Sequence, residues 1–168
     1  NLNVKIDGAR QVGTTFHHMG TAIIDPSLLK SVRVETGVGP VDVGPGSLGG
    51  SIAYETKDAR DILAPGQTFG GLAKFHYESG TELYSPNLTF AGQAQGYEMM
   101  VHGSYDNGSD YSDGADREIA GSAPKMKTFL GKAAWTGQGG DRIEFNSSFL
   151  QDEGIRPNRV NFASLTNG

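Results

Sequence analysis

The sequence contains no cysteine, which excludes a disulfide framework and thiolate metal sites together and is compatible with an exported protein that needs no oxidative staple. It also lacks long apolar runs. Nothing approaches the roughly 18 consecutive apolar residues of a membrane helix, although strands that cross a membrane need only about ten residues of alternating character and leave a weak hydropathy trace. Positive charge is scarce: 14 lysines and arginines face 19 acidic residues, for a net charge of −5. No basic stripe is available to neutralise phosphates, so a nucleic-acid partner is excluded. No phosphate-cradling glycine loop, serine or threonine nucleophile motif or histidine–glutamate zinc signature is present, so no catalytic constellation emerges. The first residues carry no charged, apolar and small-residue signal pattern, and an upstream portion is expected.

Glycine is abundant, at 25 of 168 residues, while hydrophobic residues make up only 36% and mean hydropathy is −0.38. Such a mixture suits turns and alternating strands more than a conventional globule.

The chain has two halves of different grammar. Residues 1–63 read as a compact α+β unit. Leu2, Val4 and Ile6 alternate with polar neighbours and stop at Asp7-Gly8, a strand entering a tight turn. Asp25-Pro26 opens a helix, with Asp25 capping free amides and Pro26 at the first position, where its missing N–H is harmless; Leu28 and Leu29 supply the buried side. Val32 and Val34 alternate with Arg33 and Glu35 as a second strand, and Ile52, Tyr54 and Thr56 suggest a third. Arg33 with Glu35, and Arg60 with Asp61, read as surface charges of this half.

Residues 64–168 read as about five antiparallel strands. Phe69, Gly71, Ala73, Phe75 and Tyr77 share one face against Leu72, Lys74, His76 and Glu78; Leu88, Phe90, Gly92 and Ala94 repeat the pattern. After a turn at Gln95-Gly96, Tyr97, Met99, Val101, Gly103 and Tyr105 oppose Glu98, Met100, His102, Ser104 and Asp106. Phe129, Gly131, Ala133 and Trp135 alternate with Lys132 and Thr136, and Ile143, Phe145 and Phe149 continue the pattern. Connections are short at 95–96 and 137–141, longer at 79–86 and long from Asp106 to Lys125. Short turns at one end, polar loops at the other and aromatic residues at both ends of the apolar face are the grammar of an outer-membrane barrel. Five strands cannot close one, since closure needs about eight, so the chain reads as a fragment. A soluble antiparallel β-sandwich acting as a binding or adhesion module alternates equally well; the two part on whether the apolar faces form an outward band or pack against each other.

Three landmarks stand in order: Ile6-Asp7-Gly8, then Asp25-Pro26-Ser27-Leu28-Leu29-Lys30-Ser31-Val32-Arg33-Val34-Glu35, then Gly46-Ser47-Leu48-Gly49-Gly50-Ser51-Ile52-Ala53-Tyr54-Glu55-Thr56. Together they resemble the C-terminal half of the plug of a TonB-dependent outer-membrane receptor, over about residues 3–75; beyond that only the barrel-like grammar matches. The resemblance implies a mostly β fold: residues 1–63 as the second half of the plug, residues 64–168 as the first strands of a plugged barrel of roughly 22 strands. It implies no enzyme and no intrinsic cofactor, but a receptor in the outer membrane of a Gram-negative bacterium. Such a receptor meets outer-membrane lipid, takes its ligand from outside and draws energy through TonB, whose contact segment is expected upstream.

Within that family, Gly8-Ala9-Arg10-Gln11, a histidine-bearing loop and Tyr54-Glu55-Thr56-Lys57-Asp58-Ala59-Arg60-Asp61-Ile62-Leu63 with Pro65-Gly66-Gln67 look most like the receptors for heme and hemoproteins. Those carry a plug histidine that aligns with His17, with His18 as its substitute, so His17, His18 and Met19 are the candidate ligands. A neutral imidazole is a sound axial ligand to heme iron; the same trio suits copper or zinc, and a ferric siderophore receptor is the further rival. His76 and His102 are given structural roles. The acidic loop 106–116 has the alternating oxygens of a calcium loop but has Arg117 where a twelfth-position glutamate belongs; it reads as a solvated extracellular loop.

Overall fold

The computed structural model describes residues 3–11, 24–37 and 49–154. The chain forms two compact units, Asn1–Lys57 and Asp58–Gly168.

The first unit holds a four-stranded sheet in the order β2-β1-β4-β3. Strand β1 (Asn3–Ile6) returns antiparallel through Asp7-Gly8 into β2 (Ala9–Arg10). Asp7 and Gly8 both have positive φ, 47° and 80°, which matches the twist of a two-residue hairpin. Strand β1 also runs parallel to β4 (Gly50–Thr56), which pairs antiparallel with β3 (Leu29–Thr36). Gly50, within the third landmark, has φ 120°, and a Cβ there would collide with the carbonyl oxygen of Glu35 across the ladder, so no side chain fits. The expected helix at Asp25-Pro26 is a single 3-10 turn, Pro26–Leu28, after which Leu29 is already extended. The cap forms as read from the sequence: the Asp25 side chain accepts the Ser27 amide at 2.8 Å. The turn stops there because Val32 and Val34 carry the chain into a strand. Leu28 is buried and Leu29 half-buried, while Val32 and Val34 are exposed. Asp7 ties this unit together, accepting the amide and the hydroxyl of Thr56 at 2.8 and 2.6 Å.

The second unit is a five-stranded antiparallel meander, β5 (Phe69–Glu78), β6 (Leu83–Ala94), β7 (Tyr97–Asn107), β8 (Lys125–Thr136) and β9 (Arg142–Asp152), each strand beside the next in sequence. Ahead of it stands one helical turn, α1 (Ala59–Ile62). The connection between β5 and β6 is residues 79–82, shorter than the 79–86 expected, because Tyr84, Ser85 and Pro86 pair with β5. Proline cannot donate to a ladder, and pairing between β6 and β7 skips Ser85 and Pro86 before resuming in register at Asn87↔Ser104. At the opposite end, Gln95 and Gly96 turn with φ 50° and 83°.

Register fixes the faces. Tyr97↔Trp135↔Ile143 and Phe90↔Val101↔Gly131 lie on one side, together with the rest of the odd-numbered positions of β7 and β8. That side is apolar and exposed: Phe75 and Phe145 are each 69% accessible, Met99 63% and Phe90 48%. The opposite side is buried on β6 to β8 and mostly polar: Thr89, Glu98, His102, Ser104, Thr128 and Lys132 are all below one-tenth accessible, with Ala91, Met100, Leu130 and Ala134 buried among them. Tyr97 and Trp135 close the apolar band at the short-turn end; Tyr77, Tyr84 and Tyr105 close it at the other, the last two edge to face at 6.2 Å. From Tyr97 to Tyr105 the band runs about 27 Å along the strand. A water-soluble sheet has the reverse arrangement, so the sandwich reading fails: the apolar faces of successive strands form one outward band.

Candidate functional site

Alternation from Tyr97 turns Glu98 inward two residues after the 95–96 turn, and alternation between Gly131 and Ala133 turns Lys132 inward on the next strand. Arg142 and Glu144 enter the same corner because β9 pairs Thr136↔Arg142 and Ala134↔Glu144. Residues 58–63 lie against this corner. Ala59 and Leu63 are buried, the Asp61 carboxylate accepts the Asp58 amide at 2.8 Å, and the Leu63 amide closes the turn on the Ala59 carbonyl at 3.0 Å.

Six charges meet there. Glu98 Oε1 accepts from the guanidinium groups of both Arg60 and Arg142, the latter at 2.9 Å. The Lys132 ammonium lies 3.1 Å from Asp58 Oδ1 and 3.7 Å from Glu144 Oε1. Arg142 reaches Glu144 at 3.1 Å, and Thr136 Oγ1 receives Arg60 at 3.3 Å and Arg142 at 3.4 Å. Three carboxylates balance three cations, and the Glu98 and Lys132 side chains are only 5% and 6% accessible. Removing their partners would leave these two charges uncompensated in a desolvated place. The cluster contains no nucleophile and no free base; its chemistry is holding, and what it holds is the turn at residues 58–63. Arg60 and Asp61 are exposed, as read from the sequence; in addition Arg60 pairs with Glu98, and the Asp61 carboxylate accepts the Asp58 amide.

Further along the buried face, His102 Nδ1 lies 2.8 Å from Thr89 Oγ1, while His76 on β5 is exposed. The long connection, residues 108–124, spends the carboxylates of Asp110 and Asp113 internally. Asp110 accepts the Ala123 amide at 2.6 Å, the Gly121 amide at 3.2 Å and the Ser122 hydroxyl at 3.3 Å. Asp113 accepts the Ala115 and Arg117 amides and pairs with the Arg117 guanidinium at 2.7 Å. Desolvation pushes the Asp110 carboxyl upward, but its hydrogen bonds outweigh it and leave the group below its ordinary value; the Arg117 side chain, with the Arg117 and Ala115 amides, lowers Asp113. Among the described residues no group of histidines and carboxylates is arranged to hold a metal ion. His17, His18 and Met19 lie outside the described residues.

Sequence reasoning saw Glu98, Lys132 and Arg60 as separate charges and missed their meeting. The usable signal was parity: Glu98 and Lys132 are charges at inward positions of their strands.

No family model matches the chain. Among curated proteins it is similar to the heme transporter BhuA of Brucella ovis, 36% identical over 163 residues covering 96% of this chain and 24% of the relative. It is similar also to the TonB-dependent heme receptor A of Haemophilus influenzae, 31% identical over 137 residues covering 80% of this chain and 18% of the relative. The chain thus spans about a quarter or less of the length of these relatives. Among solved structures, the apoprotein form of the FrpB iron transporter from Neisseria meningitidis superposes with TM-score 0.82 at 25% identity, covering 93% of this chain and 25% of that one. A double mutant of the Serratia marcescens hemophore receptor HasR, in complex with its hemophore HasA and heme, gives 0.79 at 24% identity, covering 91% and 24%, a likeness of fold. The relatives are named as transporters and receptors, not as enzymes. The three landmarks, the outward apolar meander and these relatives agree: the chain is a segment of a TonB-dependent receptor.

Proposed function

We propose that the protein containing this segment is an outer-membrane uptake receptor for heme or hemoproteins. It takes its ligand from the extracellular side and imports it with energy delivered through TonB. The observation that carries the reading is the inverted sheet of the second unit, apolar and exposed outward, polar and buried inward, which suits strands of 10 to 12 residues set in hydrocarbon. The choice of ligand draws on the names of the curated relatives. In this reading His17 is the axial ligand to heme iron offered from the plug, with His18 its substitute and Met19 beside them. Residues 1–63 serve as the second half of the plug and residues 64–168 as the first barrel strands.

A copper or ferric-chelate receptor is the second reading. It is favoured by the His17-His18-Met19 trio, whose imidazole and thioether groups suit softer metals, and by the likeness in fold to the copper transporter OprC, with TM-score 0.68. Heme titration of the whole receptor in detergent, followed by absorbance, separates the two. Loss of the Soret shift in His17→Ala, His18→Ala or the double variant supports axial ligation. Unchanged binding in all three removes these histidines as ligands, and no binding by the wild type moves the metal reading to first place.

A further inference from the structure

We propose that the six-charge cluster is a latch that keeps residues 58–63 seated on the sheet when the chain ahead of Asp58 is displaced, so that a segment drawn out by force ends at Lys57. The proposal rests on the uptake-receptor reading, in which a pull reaches the chain from the periplasm.

A single helical turn does not hold itself. Isolated helices below about 12 residues are marginal in water, and α1 has four. Its hold comes from outside. Ala59 and Leu63 are buried, and two charged tethers reach different strands: Asp58 to Lys132 on β8, and Arg60 to Glu98 on β7. Arg142 and Glu144 of β9 brace both, since Arg142 shares Glu98 with Arg60 and Glu144 shares Lys132 with Asp58. A load travelling along the backbone meets the Asp58–Lys132 pair first, then Arg60–Glu98 two residues on. The Lys132 and Asp58 side chains are 6% and 19% accessible, so salt screens that pair far less than an exposed one such as Lys127–Glu153; in the second tether only the Glu98 end is buried. Beyond the latch the backbone is fixed again: Gln93 donates its side-chain amide to the Gln67 carbonyl at 2.6 Å and its backbone amide to the Thr68 carbonyl at 2.8 Å.

The test pulls the whole receptor, in a lipid bilayer, from its N-terminus by single-molecule force spectroscopy, comparing wild type with Glu98→Gln, Lys132→Met and the double variant. In the wild type the released contour should account for the residues ahead of Asp58. In the double variant it should lengthen by about 35–40 Å, the extended length of residues 58–68. Hydrogen exchange on the same proteins is the second readout. The Asp61 and Leu63 amides should exchange at least tenfold faster in the double variant while the β7–β8 ladder stays protected. Should the ladder lose protection, Glu98→Gln alone, which keeps the side-chain volume, becomes the deciding variant. Equal contours in wild type and variant, or a wild-type release that already includes residues 58–68, overturns the latch. Neither readout depends on which ligand is carried, so a failed heme titration leaves this result standing.

Discussion

Asp25 and Glu98 are both carboxylates more than nine-tenths buried, and they serve opposite kinds of partner. Asp25 in the first unit receives the backbone amide of Ser27, as Asp7 nearby receives that of Thr56. Glu98 in the second receives two guanidinium groups carried by α1 and β9. The first unit spends its buried charge on turning the backbone; the second spends it on fastening one element to another. Their sheets differ in the same spirit. Strands β1 to β4 hold two to eight residues in a mixed ladder interrupted by a bulge between Leu29 and Ser31. Strands β5 to β9 hold 10 to 12 residues in one unshifted register. The lesson concerns surroundings. A sheet that shows Phe75, Met99 and Phe145 to the outside while covering Lys132 and Glu98 minimises its free energy only if the medium on its outer face is itself apolar.

The sharpest way to break this comparison is to place the same charge on both sheets. Val101→Arg, at the middle of the outward band, should cost about 2–4 kcal/mol in the bilayer, whereas Val34→Arg on the exposed side of β3 should stay within about 0.5 kcal/mol. Urea unfolding of the whole receptor in lipid vesicles reads both, and equal costs would erase the distinction. Next in size, Glu98→Ala removes the acceptor of two charged hydrogen bonds and should cost about 1.5–3 kcal/mol in the same assay, with Glu98→Gln recovering part of it. Asp25→Ala loses a cap and should cost about 1 kcal/mol, felt in the first unit alone by hydrogen exchange at the Leu28 amide.

The smallest effect is a pH dependence in the long connection. Asp110 and Asp113 have folded values below the ordinary 3.8. The order they lend residues 108–124 is therefore complete above about pH 4 and fades as pH falls through those lower values. Pepsin, active in that range, should cut the connection increasingly below pH 3.8, normalised to an unstructured peptide, and the Asp110→Asn, Asp113→Asn double variant should be cut at every pH tested.

Much of this fold was legible because a period of two leaves no freedom once one face is committed. Tyr97 to Asp106 were assigned to their faces from alternation alone, and the Asp25 cap was readable from its Pro26 neighbour. What escaped was whatever depends on a partner distant in sequence. Pro86 looked like the end of a loop, yet it sits within β6 because only its β7 side needs to lack a donor. Arg60 is the surface charge it looked like, but its partner was not readable, because Glu98 lies 38 residues away. The helix expected after Asp25 shrank to one turn because the β-branched residues that follow favour extension. Of the candidate site, sequence supplied the charges and their parity; the register of β8 against β9 brought them together.

The most direct test of the central claim, that β5 to β9 face lipid on their odd β7 positions, is a nitroxide scan of residues 97–107 in the whole receptor reconstituted in a bilayer. Accessibility to dissolved oxygen and to a water-soluble nickel chelate is measured at each position. The account predicts strong oxygen accessibility with chelate exclusion at Met99, Val101 and Gly103, and low oxygen accessibility at Met100, His102 and Ser104. Chelate access at Met99, Val101 and Gly103, or the loss of the two-residue alternation, would contradict it.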